Sequence, residues 1–130
     1  MDLSLNEQQE LLKNSVADFM QHEVPKPVLL DLDRTEEGAP RELWNRIAQL
    51  GWVGMLVPQE YGGGGSSLTD AAVVFEELGK GPMPGPFFSS GVLGALTVME
   101  AASEQQKREI LPAVAQGSQI LTVAAQEPER

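Results

Sequence analysis

The stretch Pro40–Gly65, PRELWNRIAQLGWVGMLVPQEYGGGG, decides the fold: an amphipathic helix stops at a glycine, an apolar run follows, and four glycines close the segment. Pro40 suits the first helical position, where its fixed φ is already right and its missing N–H would have had no partner. Leu43, Ile47 and Leu50 then recur at i, i+4 and i+7, which predicts one apolar face, and Gly51 can adopt the left-handed conformation that ends the helix. Trp52 to Val57 is too apolar for a surface loop, and Pro58 bars a helix from running on. Gly62 to Gly65 carry no side chains that would hold another surface away. A phosphate-binding reading of these glycines fails on context. A dinucleotide loop needs GxGxxG between a strand and a helix, and a P-loop needs a Lys-Ser/Thr pair that is absent here.

Outward from this block the chain reads as further helices. Ser4 and Glu7 match a Ser-x-x-Glu capping box, and Leu5, Leu12, Val16 and Phe19 share a face. Pro25 and Pro27 are expected to end that first helix, with acidic Asp31 to Gly38 as a surface connection. Ser67 and Asp70 open a third helix whose stripe is Leu68, Ala71, Phe75 and Leu78, ending at Gly79. Gly81-Pro82-Met83-Pro84-Gly85-Pro86 is a stiff connector. Phe87 to Ala102 is apolar on nearly every side, the mark of a central helix. Ser103 and Gln106 repeat the capping box for a last helix that Pro112 should tighten or end early and Gly117 closes. Ser118 to Ala125, SQILTVAA, has strand character. The predicted fold is all-α: a bundle of about five helices over residues 1–117, with one short strand in residues 118–130.

Composition narrows the function classes. The 130 residues suffice for one domain with one modest core. A formal charge of −10, from 19 acids against 9 bases, argues against nucleic acid or an anionic membrane as partner. No apolar run reaches membrane-spanning length, and the N-terminal MDLSLNEQQELL lacks the basic and apolar regions of a targeting signal, so a cytoplasmic location is expected. With no cysteine and one histidine, His22, neither a metal site nor a catalytic dyad is expected.

The order helix, glycine, apolar run, Val-Pro-Gln-Glu-Tyr-Gly-Gly, Ser/Thr-rich cap and Glu-Glu-Leu-Gly resembles the FAD-dependent acyl-CoA dehydrogenase family. LNEQQELLKNSVADFM, FEELGK and SEQQKREILP match further helices of that family's N-terminal domain, so the resemblance spans almost the whole chain. It implies that residues 1–117 are the helical domain and residues 118–130 the first strand of an incomplete flavin-binding β-domain. It also implies oxidation of an acyl-CoA to its trans-2-enoyl form, a glutamate taking the α-proton and flavin N5 the β-hydride.

No catalytic residue is expected within these 130 residues, since the family's base lies farther downstream. Glu76, Glu77 and Glu100 sit in helices whose apolar faces are assigned without them, and nothing in the sequence marks a tuned base. By resemblance Val123, Ala125 and Gln126, before Glu127-Pro128, are the flavin-contacting positions, Gln126 standing where the family has a hydroxyl residue. Ser89, Ser90, Leu93 and Thr97 resemble by position the lining of the acyl cavity; plain core packing is the competing reading. The Pro-rich lead-in resembles branches that take bulky or branched acyl groups and pair unlike subunits. The chain alone is therefore expected to be inactive, with an exposed apolar surface near the fourth helix for another copy or a partner subunit. A non-catalytic helical subunit and a small acyl-binding bundle without redox chemistry are the alternatives.

Overall fold

Three helices begin where a short polar side chain reaches forward to an unpaired backbone N–H. In the computed structural model, which describes residues 4–36 and 39–125, these are α1 (Glu7–Glu23), α4 (Leu68–Leu78) and α6 (Glu104–Ala115). Each carries a complete capping box, Asn6 with Gln9, Ser67 with Asp70 and Ser103 with Gln106. The last two are as the sequence predicts. The first lies two residues beyond the expected Ser4–Glu7 box: Asn6 accepts from the Gln9 N–H at 2.9 Å and the Gln9 side chain returns the bond.

The described residues are all-α, as predicted, with six α-helices: α2 is Lys26–Leu32, α3 Arg41–Gln49 and α5 Ala95–Ala101. A 3-10 turn spans Gln59–Tyr61 and a π-helical segment spans Phe88–Gly94. α2 was not expected. Pro27 falls in its first turn, where proline has no bond to break, so it starts a helix instead of ending one. α6 also runs through Pro112 to Ala115. The ring removes one backbone hydrogen bond, and burial of Leu111, Val114 and Ala115 around it offsets the loss.

The chain divides into two compact units, residues 1–43 with 67–85 and residues 44–66 with 86–130. In the first, α1 packs on α4. Val16 and Met20 are buried on α1, and Ala71, Val73, Val74 and Leu78 on α4. Leu68, placed by periodicity on the buried stripe of α4, is 63% exposed because it occupies the first, outward turn. Glu77 takes a buried place on that face instead. Every residue of α2 keeps some exposure, although four of its seven are apolar.

The buried residues of α3 are Leu43, Trp44, Ile47 and Ala48, with Leu43 and Ile47 as predicted, whereas Leu50 is exposed. α3 stops at Gln49, so Leu50 belongs to the closing turn and not to the stripe. There Gly51, at φ +79°, donates to Ala48 O at 2.9 Å and Trp52 N donates to Ile47 O at 3.2 Å, the paired bonds of a Schellman end. Trp52 to Val57 are all buried, as their apolar character requires. The glycines fold back on this run: Gly64 N donates to Gly54 O at 3.0 Å, Gly65 N to Val57 O at 2.9 Å and Ser66 N to Met55 O at 2.7 Å. Gly63 lies so close to the Val57 carbonyl that a Cβ there would overlap it. The run is thus a structural clasp, with Val57 and Tyr61 joining Ala95, Leu111, Val114 and Ala115 in one core cluster.

Candidate functional site

The second unit builds its candidate site from the apolar segment after Pro86. Pro86 O accepts from Ser90 N at 2.8 Å and from the Ser89 hydroxyl at 3.1 Å, and the chain then winds in the wider i→i+5 pattern over Phe88–Gly94 before tightening into α5. Such widened turns occur mostly as single-turn bulges, often at functional sites. Instead of a uniformly central helix, the segment has two characters. Phe87, Ser90, Gly91, Val92, Gly94 and Ala95 are buried, while Phe88 (53% exposed), Leu93 and Thr97 are exposed. Phe88 and Leu93 are five residues apart, the spacing a π-turn places on one side.

The four residues matched to an acyl cavity therefore divide. Leu93 and Thr97 are exposed together, the Thr97 hydroxyl donating to Leu93 O at 2.7 Å. Ser89 is half-buried and bonded to its own turn. Ser90 is wholly buried, and its Oγ accepts the backbone N–H of Leu121 at 3.0 Å.

That bond fixes the terminal segment. α6 ends in a second Schellman turn at Gly117 (φ +74°), with Gly117 N bonded to Val114 O and Ser118 N to Ala113 O. Trp44 Nε1 donates to Gly117 O at 2.7 Å. The predicted strand over 118–125 does not form: no residue of it has strand structure. A strand needs a neighbour to pair with, and among the described residues the backbone of 120–125 makes one hydrogen bond, from Leu121 N to Ser90. Thr122 to Ala125 are exposed, Val123 at 39%, with no hydrogen-bond partner among the described residues. Gln126, the third position matched to flavin contact by resemblance alone, lies outside the described residues, as do Glu127 and Pro128.

The titratable groups elsewhere do structural work. Glu76 and Glu100 are exposed. Glu77 is 4% exposed and pairs with the ammonium of Lys80, a burial that periodicity did not reveal although the i+3 lysine was a signal for it. Tyr61 donates to Glu104 Oε2 at 2.8 Å, and Lys107 Nζ lies 3.0 Å from the other carboxylate oxygen. The Lys107 bond first, then the Tyr61 bond, hold the Glu104 carboxyl below its ordinary range; the same Tyr61–Glu104 bond raises the phenol. Gln9 Nε2 donates to Asp70 at 2.9 Å and, with Ser67, lowers that carboxyl. His22 is exposed, its Nδ1 2.7 Å from Asp18 O. Among the described residues no group of His, Asp and Glu could hold a metal ion, and no helix is long and apolar enough to cross a membrane. The first unit carries an open groove of about 860 Å³ between α2 and residues 80–84.

The model of the acyl-CoA dehydrogenase N-terminal domain matches residues 6–118, most of the chain. The chain belongs to the acyl-CoA dehydrogenase family. Among its relatives is acyl-CoA dehydrogenase IpdE2 of Mycolicibacterium smegmatis, 36% identical over 121 residues that cover 92% of this chain and 37% of that protein. The Tcur3481–Tcur3483 steroid ACAD, in a variant form, superimposes with a TM-score of 0.84 at 29% identity, over 95% of this chain and 34% of the other. An acyl-CoA dehydrogenase complexed with FAD from Bacillus anthracis gives 0.76 at 26%, over 90% of this chain and 20% of the other. The chain spans about a third of the length of the curated relatives it matches. Among the described residues, the backbone donors and acceptors of 122–125 stand open beside small or apolar side chains.

Proposed function

We propose that this chain is the N-terminal helical part of an FAD-dependent acyl-CoA dehydrogenase, which oxidises an acyl-CoA thioester to the trans-2-enoyl-CoA. The family match over residues 6–118 carries this reading. Val123, Ala125 and Gln126 contact the isoalloxazine ring in it, and the open backbone of Val123 and Ala125 supports that role. The cofactor these positions would hold, FAD, would supply the two-electron acceptor for the hydride leaving the β-carbon. The exposed side of the π-segment, Leu93 with Thr97 and half-buried Ser89, borders the acyl chain, while wholly buried Ser90 faces the terminal segment through Leu121 N. No base is assigned here: Glu76 and Glu100 are solvated, and Glu77 is committed to Lys80.

The likeness to a steroid ACAD, with the stiff Pro82–Pro86 connector, supports a bulky acyl group as substrate. Exposed Phe88, Leu93, Ile120 and Val123 support burial of this surface against further domains, a second copy or a partner subunit. The chain purified alone should hold no stoichiometric flavin and show no dye-linked oxidation of acyl-CoA, whereas the holoenzyme containing it should show both. A holoenzyme with neither flavin absorbance nor acyl-CoA turnover would overturn the reading and leave a helical docking subunit in its place.

A further inference from the structure

We infer that Ser90 is a positioning residue for the flavin, acting through the terminal segment and not on the acyl chain. The inference rests on the flavoenzyme reading above. Two contacts fix the segment where it crosses the π-helix. The first is the part-buried bond from Leu121 N to Ser90 Oγ, 3.0 Å long, joining residues 31 positions apart in the chain. The second is a notch at Gly94: a Cβ there would stand 2.5 Å from the Cβ of Leu121, so the Leu121 side chain can lie this close only because the residue is glycine. Beyond Leu121 the described backbone has no other hydrogen bond, so the placement of Val123, two residues on, and Ala125, four residues on, follows from these two contacts.

The chemistry of the site favours this role over substrate binding. Ser90 has no exposed surface, while Leu93 and Thr97, its neighbours in the predicted cavity set, are exposed. A buried serine needs a partner for its oxygen, and the half-buried N–H of an irregular segment needs an acceptor; each meets the other's need. Substitution by alanine removes the hydroxyl and leaves the half-buried Leu121 N–H without its acceptor. The segment then has one anchor instead of two, and the orientation of the positions beyond it is no longer set. Because Ser90 reaches the flavin only through Leu121, its loss should act on cofactor retention before it acts on acyl-CoA.

The test compares Ser90→Ala, Gly94→Ala and Ser118→Ala in the holoenzyme. Ser118 bonds Ala113 O at 3.0 Å at the start of the same segment and is the control. Ser90→Ala should release FAD about tenfold more readily, shift the visible absorption and circular dichroism of the bound flavin, and speed hydrogen exchange at the Leu121 amide. Gly94→Ala displaces Leu121 without touching the serine hydroxyl, so it should reproduce the loss and the spectral shift even if Ser90→Ala folds poorly. Ser118→Ala should leave both unchanged. Wild-type FAD retention and an unshifted flavin spectrum in both the Ser90 and Gly94 variants, with helicity intact, would overturn the positioning role while the flavoenzyme reading stands. A wild-type holoenzyme that binds no FAD would overturn that reading and this inference with it.

Discussion

In the unit of residues 1–43 and 67–85, α1 and α4 meet through side chains of ordinary size and the Gln9–Asp70 pair, while Lys80 pairs with buried Glu77 where α4 itself ends. In the unit of residues 44–66 and 86–130, backbone meets backbone, with Gly63 against the Val57 carbonyl and Gly54 against the backbone of Ala115. The difference lies in how each fails. Side-chain pairs can rearrange when one member changes, whereas two backbones in contact leave no rotamer to move.

The sharpest break should come at Gly63. Alanine there drives its Cβ into the Val57 carbonyl and should cost about 3 kcal/mol or more, read as a lowered midpoint in denaturant melts followed by far-UV circular dichroism. Gly62→Ala gives the contrast: its φ of +82° is unfavourable for a side chain but nothing lies within 4 Å, so the cost should stay near ~1 kcal/mol. Equal costs at the two positions would remove the argument from close approach.

In the first unit the largest effect should follow Lys80→Ala, which leaves the Glu77 carboxylate buried without its counter-ion. Lys80 is 60% exposed, so water recovers part of the loss and about 2 kcal/mol is expected. Replacing both residues by methionine should restore most of it, and a double variant as unstable as Lys80→Ala would show that the pair is not the cause. Next come the caps: Ser67→Ala in one unit and Ser103→Ala in the other should each cost about 1 kcal/mol, because the same hydroxyl-to-backbone bond is lost.

Protonation should give the smallest effects. Asp70 and Glu104 both have folded values below their unfolded ones. Their stabilisation is complete above the ordinary carboxylate range and is lost as the pH falls through the lowered folded values. Tyr61 has the opposite sign: its value is raised, so its contribution is complete below the ordinary phenol value of 10.0 and is lost as the pH rises through the folded one. Acid melts of Asp70→Asn and alkaline melts of Tyr61→Phe should lack the corresponding part of the pH dependence. A Tyr61→Phe variant with unchanged alkaline sensitivity would disconnect the phenol from stability.

What sequence could reveal followed the range of the interaction. Ser67 with Asp70 and Ser103 with Gln106 are three residues apart, and both caps were legible. So was the left-handed Gly51, because a helix stripe and a buried run flank it. Misreadings arose where two local patterns competed. Ser4–Glu7 and Asn6–Gln9 overlap, and the second won because it closes a reciprocal pair. Pro27 fits either the end of one helix or the first turn of another. Leu50 and Leu68 continue an apolar spacing past the ends of the stripes that bury it.

The candidate site was less legible for a physical reason. The π-segment keeps nearly helical spacing, so a wider turn leaves almost no trace in periodicity, and the residues that cover it, Val53 and Leu121 among them, are distant in sequence. Ser89 and Ser90 are adjacent and chemically identical, yet one bonds within its own turn and the other holds a distant backbone. The strand character of 118–125 was a reading of β-branched residues, and without a pairing neighbour that propensity has nothing to express.

The Trp44 bond to Gly117 points to a property of the molecule as an optical object. Both tryptophans, Trp44 and Trp52, and the single tyrosine, Tyr61, belong to the unit of residues 44–66 and 86–130. Intrinsic emission therefore watches that unit alone, and α1, α2 and α4 are dark to it. A melt followed at once by emission and by far-UV dichroism compares one unit with the whole, and two superimposable curves would mean that the units unfold together.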